Sequence, residues 1–169
     1  YTTLHFPSEI AHLQQRLGEF SDFVVKPAHG SGGEGIIVIT GRVKNSYRLI
    51  DGRLYSEEQL KHHLLNILGG MYSLGGHPDS VIIEYRVQFD SVFEPISFRG
   101  VPDIRIIVFL GVPVMSMIRL PTMASGGRAN LHQGAIGCGI DTDSGITTAA
   151  VWHNSIITEH PDTGVSVTG

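Results

Sequence analysis

The sequence predicts an α+β fold. Two stretches carry helical spacing of apolar residues, and many short β-branched or aromatic runs are parted by Gly, Pro and Asp turns. The runs do not alternate regularly with helices, which argues against a parallel, doubly wound sheet.

The elements follow in order. Ser8 to Phe20 reads as a helix: Ser8 can cap it, Glu9 suits its positive end, and Ile10, Leu13 and Leu17 share a face. Phe23 to Lys26 is a short strand. Pro27 then opens the loop AHGSGGEG, and Ile36 to Thr40 is a β-branched strand. Tyr47 to Tyr55 reads as a hairpin turning at Asp51-Gly52. Ser56 to Leu74 is the strongest helix, with a Ser56/Gln59 capping box and Leu60, Leu64, Ile67 and Leu68 along one side; Gly69-Gly70 weakens its end. Strands follow at Val81–Val87, Ile104–Leu110 and Val114–Leu120, the last two joined by a turn at Gly111-Val112-Pro113, and weaker ones at Ala135–Ile140 and Thr147–Trp152. The chain shows neither an internal repeat nor a low-complexity linker.

Composition narrows the function classes. The 169 residues are 41% hydrophobic and 17% charged, enough for a packed core without disulfides. A net charge of −4 speaks against a nucleic-acid partner, which demands a basic face. The longest apolar stretch, Ile106 to Ile118, is too short to span a bilayer and contains Gly111 and Pro113, so no membrane partner is expected. The single Cys138 fits a reducing, cytoplasmic setting and reads as a small buried apolar residue. Nine histidines show no metal-ligand spacing: His62 and His63 are adjacent and cannot share a helix face. Asp141 to Gly145 begins like a calcium loop, but the twelfth position is Trp152, so a polar turn is expected. Without an initiator Met, and with a loop-like ending, the sequence reads as part of a longer protein.

Residues 30–35, Gly-Ser-Gly-Gly-Glu-Gly, match the pattern GxGxxG. A dinucleotide-binding loop leads from a strand into a helix, whereas these glycines lead into the strand IIVIT. A Walker loop ends in Gly-Lys-Ser/Thr; this one ends in Glu34-Gly35-Ile36. Two readings remain. One is a glycine flap between antiparallel strands, able to lay its amides on phosphates. The other is an ordinary hairpin tip. A protein kinase is ruled out by the missing HRD and DFG motifs and by Lys26 preceding the loop.

Lysine, proline, glycine flap and strand in succession resemble the small lid-bearing subdomain of ATP-grasp enzymes. VIIEYRV at 81–87 resembles the strand that reads adenine there. PDIRIIVF at 102–109 and GGRANLHQGA at 126–135 resemble the Asp-Ile-Arg strand and the Arg-Ser-Asn-Leu-His segment of RimK-type α-L-glutamate ligases, with Ala129 in place of Ser. Together with MYSLGG, RLPTMAS and HPDTG, the likeness to RimK-related, α-L-glutamate ligase-like proteins covers nearly the whole chain. It implies an ATP-grasp fold, ATP with Mg²⁺, and an acyl-phosphate mechanism. It also implies a lid subdomain at 1–80 and the start of the core subdomain at 81–169. That family's Glu-x-Asn metal motif has no counterpart here, so the main metal ligands are expected beyond residue 169.

The resemblance and the residues together give the site expectations. Lys26 supplies a compact positive charge near the α- and β-phosphates. Ser31, Gly32, Gly33 and Gly35 supply flap amides, while Glu34 faces solvent because its charge would repel phosphate. Glu84 and Tyr85 lie where backbone groups pair with adenine; a plain core strand is the alternative. Asp103 accepts hydrogen bonds from the ribose. Arg105 and Arg119 sit in apolar runs and so must be paired or face a polar cleft: they either stabilise a transferring phosphoryl group or form an ion pair with Asp103 or Glu84. Arg128 and Asn130 reach phosphate oxygens or the metal shell, and His132 is expected to pack or hydrogen-bond rather than act as a base. The expected function is an ATP-dependent carboxylate–amine ligase acting on an amino acid or peptide. A small-molecule kinase and a non-catalytic ATP-binding module are the alternatives.

Overall fold

A computed structural model describes residues 2–18 and 20–169. It is α+β, with two antiparallel sheets and few helices, and it divides after Arg86 into two compact units.

The first unit holds β1 (Thr2–Leu4), α1 (Leu13–Leu17), β2 (Phe23–Pro27), β3 (Ile37–Val43), β4 (Ser46–Leu49), β5 (Leu54–Ser56), α2 (Glu57–Leu68) and β6 (Val81–Glu84). Its strands lie in the order β1-β6-β2-β3-β4-β5. Period-two alternation turns Phe23, Val25, Ile37, Ile39, Val81 and Ile83 inward onto Leu13, Leu17, Leu60, Leu64 and Ile67 of the helices. Each fully buried Leu or Ile contributes roughly 1.5–3 kcal/mol. Phe23 and Tyr47 add an edge-to-face contact with centroids 5.8 Å apart. The capping box of α2 forms as read: the Gln59 N–H donates to Ser56 Oγ (3.1 Å) and the Ser56 N–H to Gln59 Oε1 (2.8 Å).

The second unit contains β7 (Asp103–Phe109), β8 (Val112–Leu120), β9 (Ile136–Ile140), β10 (Thr147–Trp152) and β11 (Ser155–Ile157), in the order β11-β10-β9-β8-β7. Its core is Ile118, Leu120, Ile136, Cys138, Ala150 and Val167, flanked by Phe93, Ile96 and Trp152. The Trp152 indole N–H donates to the Gly134 carbonyl (2.8 Å). The far part of the β7–β8 hairpin is uncovered on both faces: Ile104, Ile106, Ile107, Val108, Phe109, Val112, Val114 and Met115 are all more than half exposed. Among the described residues, no helix is long and apolar enough to cross a membrane.

Several boundaries differ from expectation. The expected helix from Ser8 begins as a 3-10 helix, Pro7–His12, with Phe6 rather than Ser8 at its N-cap, and becomes α-helical only over α1. Pro7 at the first position suits the tight turn. Gly18 at φ 53° ends it, and Glu19, inside the expected helix, lies outside the described residues. α2 stops at Leu68 rather than Leu74 because Gly69-Gly70 breaks it, Gly70 standing at φ 84°. β6 ends at Glu84, short of Val87. The turn after β7 is Leu110-Gly111, both at positive φ, with Val112 and Pro113 inside β8; a register shift beside Pro113 accommodates the proline's missing N–H. The expected division at 80/81 would part β6 from β1 and β2, with which it pairs.

Candidate functional site

Alternation that buries one face of the first sheet turns Val24, Lys26, Val38, Ile82 and Glu84 to the other, where all are half-buried. Register sets Val24 opposite both Val38 and Glu84, and Lys26 opposite Ile82. Lys26 and Glu84 are thus diagonal neighbours, and the ammonium bonds Glu84 Oε1 at 2.7 Å. Both side chains keep about a third of their surface exposed, 34% and 28%. A strip of aliphatic surface beside a charged pair is therefore presented by the uncovered face. Tyr85 follows Glu84 and is exposed.

The glycine segment joins β2 to β3, as both the flap and the hairpin-tip readings require. Residues 32–35 form turns, with the Glu34 N–H donating to the Ser31 carbonyl (3.2 Å). Gly32, Gly33 and Gly35 have positive φ (64°, 80° and 75°), which only glycine adopts without strain. Ser31, Gly32 and Glu34 are exposed.

Both ends of the glycine segment are tied to α2 or to the connection that follows it. At the front, Asp79, its side chain fully buried, accepts the His29 N–H (3.0 Å) and the His29 Nδ1–H (2.7 Å). Burial pushes the Asp79 carboxyl up, but these bonds and the Ser80 N–H more than offset it and hold it below the usual value. At the rear, His63 Nε2 lies 2.8 Å from the Gly35 carbonyl, which can only accept, so this nitrogen carries the proton. Burial shifts His63 downward, toward neutrality; the Gly35 bond opposes that and neighbouring His62 adds to it. A Cβ at Gly35 would stand 2.6 Å from the Tyr72 ring, so the residue sits directly against that ring. His63 was weighed only as a metal ligand; its place on the half-apolar α2 beside a glycine flap was the available signal.

In the second unit, Asp103 of β7 faces Arg119 of β8 across the pair. Asp103 Oδ2 accepts from Arg105 Nε at 3.0 Å and from Arg119 Nη2. Desolvation raises the Asp103 carboxyl, and the two guanidinium bonds overcome it, leaving it below the ordinary range. Arg119 is mostly buried, at 17% exposure, and its Nε is among the buried polar atoms without a hydrogen-bond partner. Of the two alternatives for the arginines, the ion pair with Asp103 is thus formed. Arg128 is exposed on the loop after β8. Asn130 Oδ1 accepts the His132 N–H (3.1 Å), capping the 3-10 turn Leu131–Gln133. His132 itself is exposed rather than packed.

A buried polar box holds that loop. Thr122 and Ser125 exchange backbone–hydroxyl bonds (3.0 and 3.1 Å), and the Thr122 hydroxyl donates to the Gly134 carbonyl (2.7 Å). Buried His160 donates through Nε2 to the Pro121 carbonyl (3.0 Å), while Asp162 Oδ2 accepts the Met123 N–H (2.7 Å). Cys138 is buried, and burial pushes its thiol up to about 11, which disfavours the thiolate. The Asp141 carboxylate is turned onto the N–H groups of Asp143 and Ser144, giving the expected polar turn.

Two small cavities lie in the first unit. One, of about 80 Å³, touches Glu84 and Tyr85; the other, of about 250 Å³, is lined by Gln59, His62, His63 and Tyr72 among others. Both are below the roughly 300 Å³ typical of ligand pockets. Among the described residues, His, Cys, Asp and Glu form no group of three that could hold a metal. Glu84 is ion-paired with Lys26, and Asp103 with Arg105 and Arg119.

The family model described as sugar-transfer associated ATP-grasp matches residues 1–169. No curated protein and no solved structure matches the chain.

Proposed function

The chain belongs to the sugar-transfer associated ATP-grasp family, and from that premise we propose that it binds ATP and serves a ligase joining a carboxylate to an amine. The carboxylate attacks the γ-phosphorus and ADP leaves; the amine then attacks the acyl carbon of the acyl phosphate, inorganic phosphate leaves, and the amine gives up a proton. Such chemistry needs positioning and charge stabilisation more than covalent help from the protein. An amino acid or peptide is the proposed substrate class. The first unit acts as the lid-bearing subdomain.

One observation carries the reading: Lys26 stands on the uncovered face of its sheet, on the strand that runs into the glycine flap. Its ammonium, now on Glu84, exchanges that partner for the phosphates, while amides of Ser31, Gly32, Gly33 and Gly35 approach the β- and γ-phosphates. Val24, Val38 and Ile82 offer apolar surface to the base, with backbone groups at Glu84 and Tyr85 reading its edge. In the second unit, Asp103 takes the ribose hydroxyls, Arg105 and Arg119 the substrate carboxylate and the moving phosphoryl group, and Arg128 and Asn130 phosphate oxygens. Asp103 lowers the cost of half-burying Arg119 until an anion arrives.

Titration of the chain with ATP tests this. Lys26→Ala should abolish measurable binding, and unchanged affinity removes Lys26 from the site. Hydroxylamine trapping then separates ligase from kinase: an acyl phosphate yields a hydroxamate, a phosphorylated alcohol does not.

A further inference from the structure

We propose that His63 and Asp79 are positioning residues that clamp the two stems of the glycine flap, so that closure on phosphate is confined to the turn between them. The proposal rests on the ATP-binding reading above.

Sequence distance makes the arrangement notable. The flap spans residues 30–36, whereas its anchors come from α2 and the loop after it. At the front stem the ties are several. Asp79 receives both His29 donors, the Ala28 N–H donates to the Ser80 carbonyl (2.9 Å), and Gly30 bridges to Ser73. A Cβ at Gly30 would fall 2.4 Å from the Pro27 ring, so only glycine lets the chain pass directly against that ring. At the rear stem the tie is narrower: one imidazole N–H on the Gly35 carbonyl and the Tyr72 ring beneath. The rings of His63 and Tyr72 stand 5.3 Å apart, so each restrains the other. Within the turn itself, the Glu34 N–H donates to the Ser31 carbonyl. A flap fixed at both feet pays less ordering entropy when it meets a ligand, because only the turn must settle.

This geometry predicts a specific signature. The stems act on the amides that meet the β- and γ-phosphates, so a loosened rear stem should weaken ATP and leave AMP alone. His63→Leu removes the donor at similar bulk, and His63→Gln can return an N–H to the Gly35 carbonyl. Losing one partly buried hydrogen bond corresponds to about a five- to tenfold effect.

The experiment measures ATP and AMP affinity, and hydrogen exchange of the amides from Ser31 to Ile36, in the wild-type chain and both variants. Expected results are faster flap exchange and about five- to tenfold weaker ATP binding in His63→Leu, unchanged AMP binding, and recovery of both readouts in His63→Gln. Parallel loss of ATP and AMP would mean general damage and overturn the positioning role. Unchanged flap exchange in His63→Leu would overturn the clamp itself. A wild-type chain that binds ATP no better than AMP would instead overturn the phosphate reading beneath it, and the positioning role with it.

Discussion

The two units solve the problem of a one-sided sheet differently. The first lays α1, α2 and a 3-10 helix over one face, so its core is closed and its other face stays half-exposed. The second has only 3-10 turns among its described helices, and its core gathers where β8, β9 and β10 meet. It also holds the loop after β8 with polar bonds: Thr122, Ser125 and His160 are buried and each is hydrogen-bonded. An apolar core loses stability in proportion to the volume removed, whereas a buried polar box loses it when one hydrogen-bond partner is removed. The first unit thus buries the larger apolar core, and the second adds a hydrogen-bonded polar cluster to a smaller one.

The sharpest way to break that comparison is Leu64→Ala on α2. Leu64 is fully buried, so the cavity should cost about 2–5 kcal/mol, read as a lower urea midpoint of the first unit by circular dichroism. A loss below about 1 kcal/mol would mean its core is looser than the packing implies. Smaller, and confined to the second unit, is Asp103→Asn, which strips Arg119 of its counter-charge. Because Asp103 is a third exposed, the loss should be only about 1 kcal/mol. The sign with pH follows from its lowered carboxyl. The contribution is complete above the unfolded value of about 3.9 and is lost as pH falls through the lower folded value. The variant should therefore show a shallower acid slope between pH 5 and pH 2, by about one group; an identical slope would deny the pairing. Smallest of all is Ile106→Thr on the bare hairpin, expected within about 0.5 kcal/mol of wild type. A large loss there would show that this surface is covered in solution.

The same contrast explains what the sequence could reveal. The start and buried face of α2 were legible because a capping box and a four-residue apolar face agree with one another, whereas its end at Gly69-Gly70 was read six residues too late. The hairpin of β2, the glycine segment and β3 was legible because the strand on either side of the glycines excluded the helical phosphate loops. The Leu110-Gly111 turn was misplaced because a proline inside a strand is tolerated only at an irregularity in register, which alternation alone does not disclose. The anchors were missed for a different reason. His63, Asp79 and His160 act through contacts with residues 28, 50 and 39 positions away, and no local pattern encodes such distances.

The distribution of chromophores gives one more consequence. Every tyrosine precedes Val87, while the sole tryptophan and the sole thiol follow it. Indole emission therefore watches the second sheet, and phenol absorbance watches the first. Cys138, hidden at the centre of β9 with its proton held tightly, reacts with an alkylating reagent only when that strand parts from its neighbours. The rate of alkylation is a built-in clock for the opening of one half of the molecule, legible without any added label.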